Sequence, residues 1–378
     1  VDPQASPFVF DGPVPPEDLI GREIELAALK DRAVRGRYVL LYGPRRFGKT
    51  SIIYRLEADA AVTKDLAVVI VDLEGCQTMV DLARRIADAY SQLPRTALGR
   101  SLAAGAAALR NLRPTVTTPL GSVQLGTPEV HIAADPAVPA VERLLQLPYE
   151  SAAKTGIRVL VVFDEFQAVA DIRGADSVIR SQIQHQRDRV SYLFAGSEQH
   201  LLHAVFSDQA RPLYGQAEHL EVGPLSDADV VRLVATKFET TGRDPGLALD
   251  RLVQLAEGHP QRAAFLADAL WHETTPDSMA DDETWEAALA RALRSAGAEF
   301  EAIEAALSTT QRKLLRLLAW GEPATGAAAT RLGLAKGSAV AALAVLRDRS
   351  IVLRPNGSRP HLVDPLLGAW IRARQPAP

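Results

Sequence analysis

Four short stretches of the chain, residues 38–42, 66–73, 158–163 and 191–196, are apolar at nearly every position, and His219-Leu220-Glu221-Val222 is a weaker run of the same kind. A strand covered on both faces needs a continuous apolar run, whereas a half-exposed strand alternates. Between these runs the period changes to that of a helix. Residues 79–93 place Val80, Leu82, Ala83, Ile86, Ala87 and Tyr90 at helical spacing, and residues 51–56 read as another amphipathic helix. Gly223-Pro224-Leu225-Ser226 supplies a stop and an N-cap for a helix over 227–240. Strands that alternate with helices predict an α/β fold, an open and doubly wound parallel sheet of five strands. From 226 to 306 the pattern is helical throughout.

Three stretches carry weaker patterns. Residues 1–18 hold five prolines and predict an extended arm rather than a packed element. In Leu19-Ile20-Gly21-Arg22-Glu23-Ile24 a turn glycine leads into a helix whose apolar positions are Ile24, Leu26, Ala27 and Leu29. Residues 94–136 are rich in Ala, Pro and Thr with little periodicity, and they read as an insertion without assignable chemistry, in which 115–118 and 122–125 could pair as a hairpin around Gly121.

With 378 residues the chain can bury two or three cores. The expected division is the arm 1–18, a core domain 19–225, a helical lid 226–306 and a tail domain 307–378. One cysteine, Cys76, rules out an internal disulfide and a zinc cluster; it reads as a small buried apolar residue, with a reactive thiol as the alternative. No apolar run approaches the roughly 18–20 residues of a membrane span, and the opening Val1-Asp2-Pro3-Gln4 is polar, so a cytoplasmic protein that does not engage membranes is the expectation.

The candidate chemistry lies where strands end. The first apolar run leads into Gly43-Pro44-Arg45-Arg46-Phe47-Gly48-Lys49-Thr50-Ser51, in which Gly43, Gly48, Lys49 and Thr50 satisfy the P-loop pattern. Its glycines let the main chain turn tightly around an anion at a helix N-terminus. Lys49 would reach β- and γ-phosphate oxygens, and the Thr50 hydroxyl would complete a Mg²⁺ shell. The third run ends in Asp164-Glu165. Adjacent carboxylates there suit a metal-shell ligand, Asp164, followed by a residue that orients an attacking water, Glu165. Asp72 and Glu74 also lie at a strand end, where solvated loop carboxylates are the ordinary occupants.

Net charge is −4 for the whole chain, which is not that of a polyanion binder. Its distribution is uneven: residues 308–374 hold eleven Lys and Arg against three acids, a net +8. In this tail 310–320, 324–332 and 336–347 read as helices, and 351–359 as a strand, a turn and a return strand. That order is a winged helix-turn-helix, with 336–347 as recognition helix and 355–359 as wing tip. Lys336, Arg347, Arg354 and Arg359 are its candidate DNA contacts. The recognition helix is otherwise Ala, Val and Leu, poor in groups that read base edges, so contact with phosphates alone or docking of a protein partner fits it as well.

Taken together, Ile20-Gly21-Arg22-Glu23, the loop 43–51, Phe163-Asp164-Glu165-Phe166, Gly258-His259-Pro260 and Val363-Asp364-Pro365-Leu366 resemble the archaeal-type ATPase family, a STAND-like branch of the AAA+ superfamily. The resemblance implies a P-loop NTPase core, a helical lid and a winged-helix tail, with ATP rather than GTP as ligand together with Mg²⁺. It implies that Ile20, Gly21 and Arg22 hold the adenine and that Ser197, after the fourth run, senses the γ-phosphate; a cap for the next helix is the alternative for Ser197. Gly258-His259-Pro260 is either a helix boundary or the lid signature through which Pro260 contacts nucleotide, and Arg262 would be a lid-borne phosphate sensor, one position out of register with origin-initiator ATPases. One departure bears on rate. Where such proteins commonly read Leu-Tyr-Gly-Arg, this chain has Leu213-Tyr214-Gly215-Gln216. An arginine acting across a subunit boundary is worth about 10³ to 10⁵ in rate, so slow ATP hydrolysis is expected unless Arg211 substitutes. The implied activity is an ATP-binding switch that moves the tail, with ATP and ADP as its nucleotide partners and nucleotide-dependent self-association as a further expectation; a DNA-binding regulator, or a scaffold using ATP as a signalling ligand, is the alternative.

Overall fold

The computed structural model describes residues 5–110, 137–353 and 359–378. The chain forms two compact bodies. One gathers Glu25–Tyr42 and Ile53–Leu220, and the other gathers Val1–Ile24, Gly43–Ile52 and Glu221–Pro378.

The first body is built on the predicted sheet. In chain order it uses helix α1 (Glu23–Val34), strand β1 (Val39–Tyr42), helix α2 (Lys49–Thr63), β2 (Leu66–Asp72), α3 (Met79–Gln92), α4 (Ala97–Arg110) and α5 (Val138–Thr155). It continues with β3 (Arg158–Asp164), α6 (Ala175–Ile183), β4 (Val190–Gly196), α7 (Gln199–Phe206) and β5 (Glu218–Glu221). The five strands lie in the order β2-β3-β4-β1-β5. β2 with β3, β3 with β4, and β4 with β1 are parallel pairs, and the Glu218 N–H donates to the Tyr38 carbonyl to attach β5. Register sets the carboxyl ends level: Asp72 lies beside Asp164, and Tyr42 beside Gly196. In such sheets ligands gather beyond the carboxyl ends of the strands.

The apolar runs do what their composition requires. Val159, Val161, Val162 and Phe163 of β3 are all fully buried, as are Phe194 and Ala195 of β4. Phe163, Phe166, Phe194 and Phe206 form a connected ring cluster, the Phe166 and Phe194 centroids being 4.7 Å apart. β5 is the exception, an edge strand with three of its four residues exposed, which explains its weak pattern.

Within the stretch expected to be an insertion, residues 97–110 form α4, whose Leu98, Leu102 and Ala106 bury one face, with Gly105 lying against Leu147 of α5. A face of Ala, Gly and two leucines has too little hydrophobic contrast to announce itself in periodicity. The hairpin expected at 115–125 lies outside the described residues. At the start of α1, Ile24 is 83% exposed, and the helix buries Leu29 and Ala33 instead.

The second body is helical: α8 (Asp227–Glu239), α9 (Ala248–Ala256), α10 (Pro260–Glu273), α11 (Asp282–Ala305), α12 (Thr309–Ala319), α13 (Ala327–Arg331) and α14 (Lys336–Asp348). The short antiparallel pair β6 (Val352–Leu353) and β7 (His361–Leu362) follows, and α15 (Pro365–Arg374) closes it. Local signals mark its helices. Ser226 caps α8, Ser308 forms a capping box with Gln311 on α12, and Asp364 accepts the N–H groups of Leu366 and Leu367 at the start of α15. One hydrophobic cluster runs through the body from Val230 and Phe238 to Trp370 and Ile371 without dividing at residue 306, and Phe300 of α11 meets Trp370 of α15 at 5.9 Å. Most of the expected wing tip, and Arg354, lie outside the described residues.

The arm is corrected, for it is packed. Phe8 is 6% exposed and lies 5.9 Å from the Phe238 ring, while Phe10 meets Phe265 edge-on at 5.1 Å. Lys237 donates to the Pro7 carbonyl at 2.8 Å and to Asp18 at 2.7 Å. Proline stiffens the arm without preventing its intervening rings from entering the core.

Candidate functional site

The loop that follows β1 belongs to the helical body, and its surroundings there are specific. Arg46 and Gly48 both adopt positive φ, 69° and 87°, which gives the tight turn into α2. Gly43 has no room for a side chain, since a Cβ would lie 2.5 Å from the Val222 carbonyl oxygen. Lys49 is 6% exposed and donates to the carbonyls of Gly43 and Pro44 at 3.0 and 2.8 Å. Arg22, 3% exposed, donates to the carbonyls of Phe47 at 3.2 Å and Gly223 at 2.8 Å, so it ties the loop to the segment before α8. Gly21 lies against Asp229, and the Ser51 hydroxyl accepts the Val14 N–H at 3.1 Å. Pro44 is buried, Arg45 is exposed, and Ile20 and Thr50 are half-buried.

The Gly-His-Pro segment meets the same loop. His259 caps α10, its Nδ1 accepting the Arg262 N–H at 3.3 Å, with Pro260 as the first residue of the helix. Its ring stands edge-on to the Phe47 ring at 4.8 Å. Burial pushes the imidazole pKa down to about 4, so the ring is neutral at pH 7, as an Nδ1 acceptor must be. Arg46 pairs with Glu299 of α11 at 2.6 Å.

Arg262 is engaged within the helical body. Its side chain is 2% exposed, and its guanidinium is held by carboxylates. Nε donates to both oxygens of Asp364 at 3.0 and 2.9 Å, and one terminal nitrogen donates to Asp364 at 2.5 Å and Glu299 at 3.3 Å. Burial opposes this charge, but the hydrogen bonds and charge of Asp364 outweigh it and raise the guanidinium pKa further. Glu299 therefore joins Arg46 to Arg262, and Asp364 joins Arg262 to the start of α15.

The acid pair belongs to the sheet body. Asp164, 6% exposed, ends β3 and accepts the Glu165 N–H at 3.0 Å. Glu165 has φ 51°, a left-handed turn off the strand. Its Oε2 accepts the Ser197 hydroxyl at 3.2 Å and the amide N–H of Gln167. Ser197 is thus brought to Glu165 and does not cap α7, whose N-cap position is Glu198. Asp72 and Glu74 act locally: an Asp72 oxygen accepts the Glu74 N–H at 2.8 Å, and Arg85 donates to the Glu74 carbonyl at 2.6 Å. Tyr54, one turn beyond Thr50 on α2, has its phenol pKa raised by burial and by the Asp164 and Asp72 carboxylates. Arg211 is engaged within the chain, pairing at 2.9 Å with an Asp176 side chain that is 7% exposed.

Sequence reasoning missed Gln167, Glu299 and the destination of Asp364. Gln167 had a usable signal, an amide two residues beyond a strand-end acid; the partners of Arg262 lie 37 and 102 positions away and had none. In the tail, Lys336 and Ser338 are exposed on α14, Arg347 is 61% exposed with Asp348 at 3.7 Å, and Arg359 is exposed. Among the described residues no helix is long and apolar enough to cross a membrane, and no group of three or more His, Cys, Asp or Glu could hold a metal.

No protein-family model matches the chain, and no curated protein matches it. Solved structures do. The Walker-type ATPase PABY2304 of Pyrococcus abyssi superposes with a TM-score of 0.69 at 18% identity, over 97% of this chain and 99% of that one. The ORC2 protein of Aeropyrum pernix, solved as ADPNP–ADP complexes, superposes with a TM-score of 0.55 at 16% identity, over 97% of both chains. At these identities the likeness is one of fold. The parallel five-stranded sheet with flanking helices, followed by a helical carboxyl-terminal region, is the fold this chain shares with these two structures.

Proposed function

We propose that this chain binds ATP with Mg²⁺, hydrolyses it slowly, and uses nucleotide state to act on its carboxyl-terminal segment. The observation that carries the reading is the loop after β1, with the buried Lys49 ammonium held on the Gly43 and Pro44 carbonyls and Arg22 bracing Phe47. A cation kept in a turn of backbone at a helix N-terminus suits a polyphosphate. In this reading Lys49 moves to phosphate oxygens, and Gly21 and Arg22 shape the adenine side.

In this reading Mg²⁺ would take hard oxygen ligands, the Thr50 hydroxyl and the Asp164 carboxylate, while keeping several waters. When bound, the ion neutralises charge on the β- and γ-phosphates. Glu165 accepts the proton of the attacking water, and Ser197 holds its Oε2. Slow turnover follows from the arginines: Arg211 is committed to Asp176, and Gln216 carries no charge. The switch is supported by the ion-pair chain Arg46–Glu299–Arg262–Asp364, which leads from the loop to the first residues of α15. The test is a pair of assays on Glu165→Gln: ATP binding persists while steady-state phosphate release is lost. Hydrolysis at the parent rate would overturn the assignment.

A second reading has its own observation, the net charge of +8 over 308–374 with Lys336, Ser338 and Arg347 exposed on α14. It makes this segment a winged helix that contacts nucleic-acid phosphates. Gel shifts should then weaken steeply with salt. Absence of a shift at low salt would remove it and leave α14, with Val340 58% exposed, to a protein partner.

A further inference from the structure

We infer that Gln167 is a positioning residue for hydrolysis, the group that aims the Glu165 carboxylate; the inference rests on the ATPase reading above. Two donors converge on one oxygen of Glu165. The Ser197 hydroxyl reaches Oε2 from the end of β4, and the Gln167 amide reaches the same Oε2 from the turn after β3. With Oε2 doubly engaged, Oε1 is the oxygen left to accept a proton from water. One donor fixes a carboxylate's distance but lets it swing; two donors from different elements fix its plane as well.

Three features show that the amide is oriented for this bond. Its own oxygen, Oε1, is buried and has no hydrogen-bond partner among the described residues, so the side chain leaves an acceptor unsatisfied in order to present its N–H to Glu165. Gly196 leaves the space: a Cβ there would stand 2.2 Å from that amide oxygen, so a larger residue would displace Gln167. The neighbouring Phe166 is fully buried in the ring cluster with Phe163, Phe194 and Phe206, which anchors the turn bearing both Glu165 and Gln167. The backbone of Glu165, at φ 51°, sends its side chain off the strand to where the two donors stand. Such a site, with a strained backbone and an unpaired polar atom beside a candidate base, departs from local rules in the way functional sites do.

The test uses the intact chain with Mg·ATP. Gln167→Leu keeps the volume and removes the donor, and Gln167→Glu keeps the shape and replaces the donor by a carboxylate. Both should lower kcat about 10- to 100-fold, the scale of an angstrom-sized misplacement, while the Kd for ATP and the unfolding midpoint stay at parent values. In the Glu165→Gln background neither should lower the residual rate further, which a merely structural role would do. Parent kcat in both variants, or a loss of ATP affinity equal to the loss of rate, would overturn the inference. If Glu165→Gln itself turns over like the parent, the ATPase assignment fails instead, so the two failures are told apart.

Discussion

Replacing Asp364 by Asn probes the ion-pair chain at its most buried point. Asparagine keeps the shape and an acceptor oxygen for the Leu366 and Leu367 N–H groups, so the α15 cap survives while the charge goes. Arg262 is then a guanidinium at 2% exposure that has lost its bidentate partner, with Glu299 at 3.3 Å as the remaining carboxylate. Breaking a buried pair in this way costs roughly 3–5 kcal/mol. Because Glu299 stays, the lower end applies, about 3 kcal/mol. At about 2–4 °C per kcal/mol for a body of this size, the transition of the helical body should fall by roughly 6–12 °C, read by calorimetry without nucleotide. Adding Arg262→Met removes the orphaned charge and fills its volume. The double variant should recover more than half of the loss, because apolar replacement of a buried pair is often nearly neutral. A single variant within about 0.5 kcal/mol of the parent, or a double variant no better than the single, would show that this pair does not hold α15 to α10.

Two further outcomes follow. His259 titrates near 4 in the fold and at 6.5 in the open chain, so protons bind the unfolded state more readily between those values. Its contribution, about 3 kcal/mol, is complete above pH 6.5 and is lost as pH falls towards 4. His259→Asn keeps an N-cap and should flatten that part of the pH–stability curve; an unchanged slope would mean that His259 is not the group responsible. Gly258→Ala places a Cβ 2.3 Å from the Leu225 carbonyl oxygen at φ 71° and should cost at least about 2 kcal/mol in a urea melt, whereas a neutral effect would refute the close approach of these backbones.

What could be read from the residues and what could not divides along physical lines. β1 to β4 were legible because a strand buried on both faces must be apolar throughout, and the loop 43–51 was legible because its glycines and lysine answer to local geometry. Edge strand β5 was half-legible, since exposure removes the constraint. α4 was missed because small residues make an interface without a hydrophobic signal, and the arm was misread because proline content describes its backbone and not the burial of Phe8. The Asp164-Glu165 pair stood out by its strand-end position. Its partner Gln167 lay two residues on and carried only the faint signal of an amide beside an acid, whereas the carboxylates that hold Arg262 were set by tertiary packing that no short window of sequence records.

The central claim is that the loop from Gly43 to Thr50 grips an adenine nucleotide triphosphate. Titration calorimetry of the intact chain with ATP and Mg²⁺ tests it most directly. One molecule of ATP per chain should be taken up, and Lys49→Ala should abolish that uptake while leaving the fold intact by circular dichroism. No uptake by the parent, or unchanged uptake by Lys49→Ala, would contradict it.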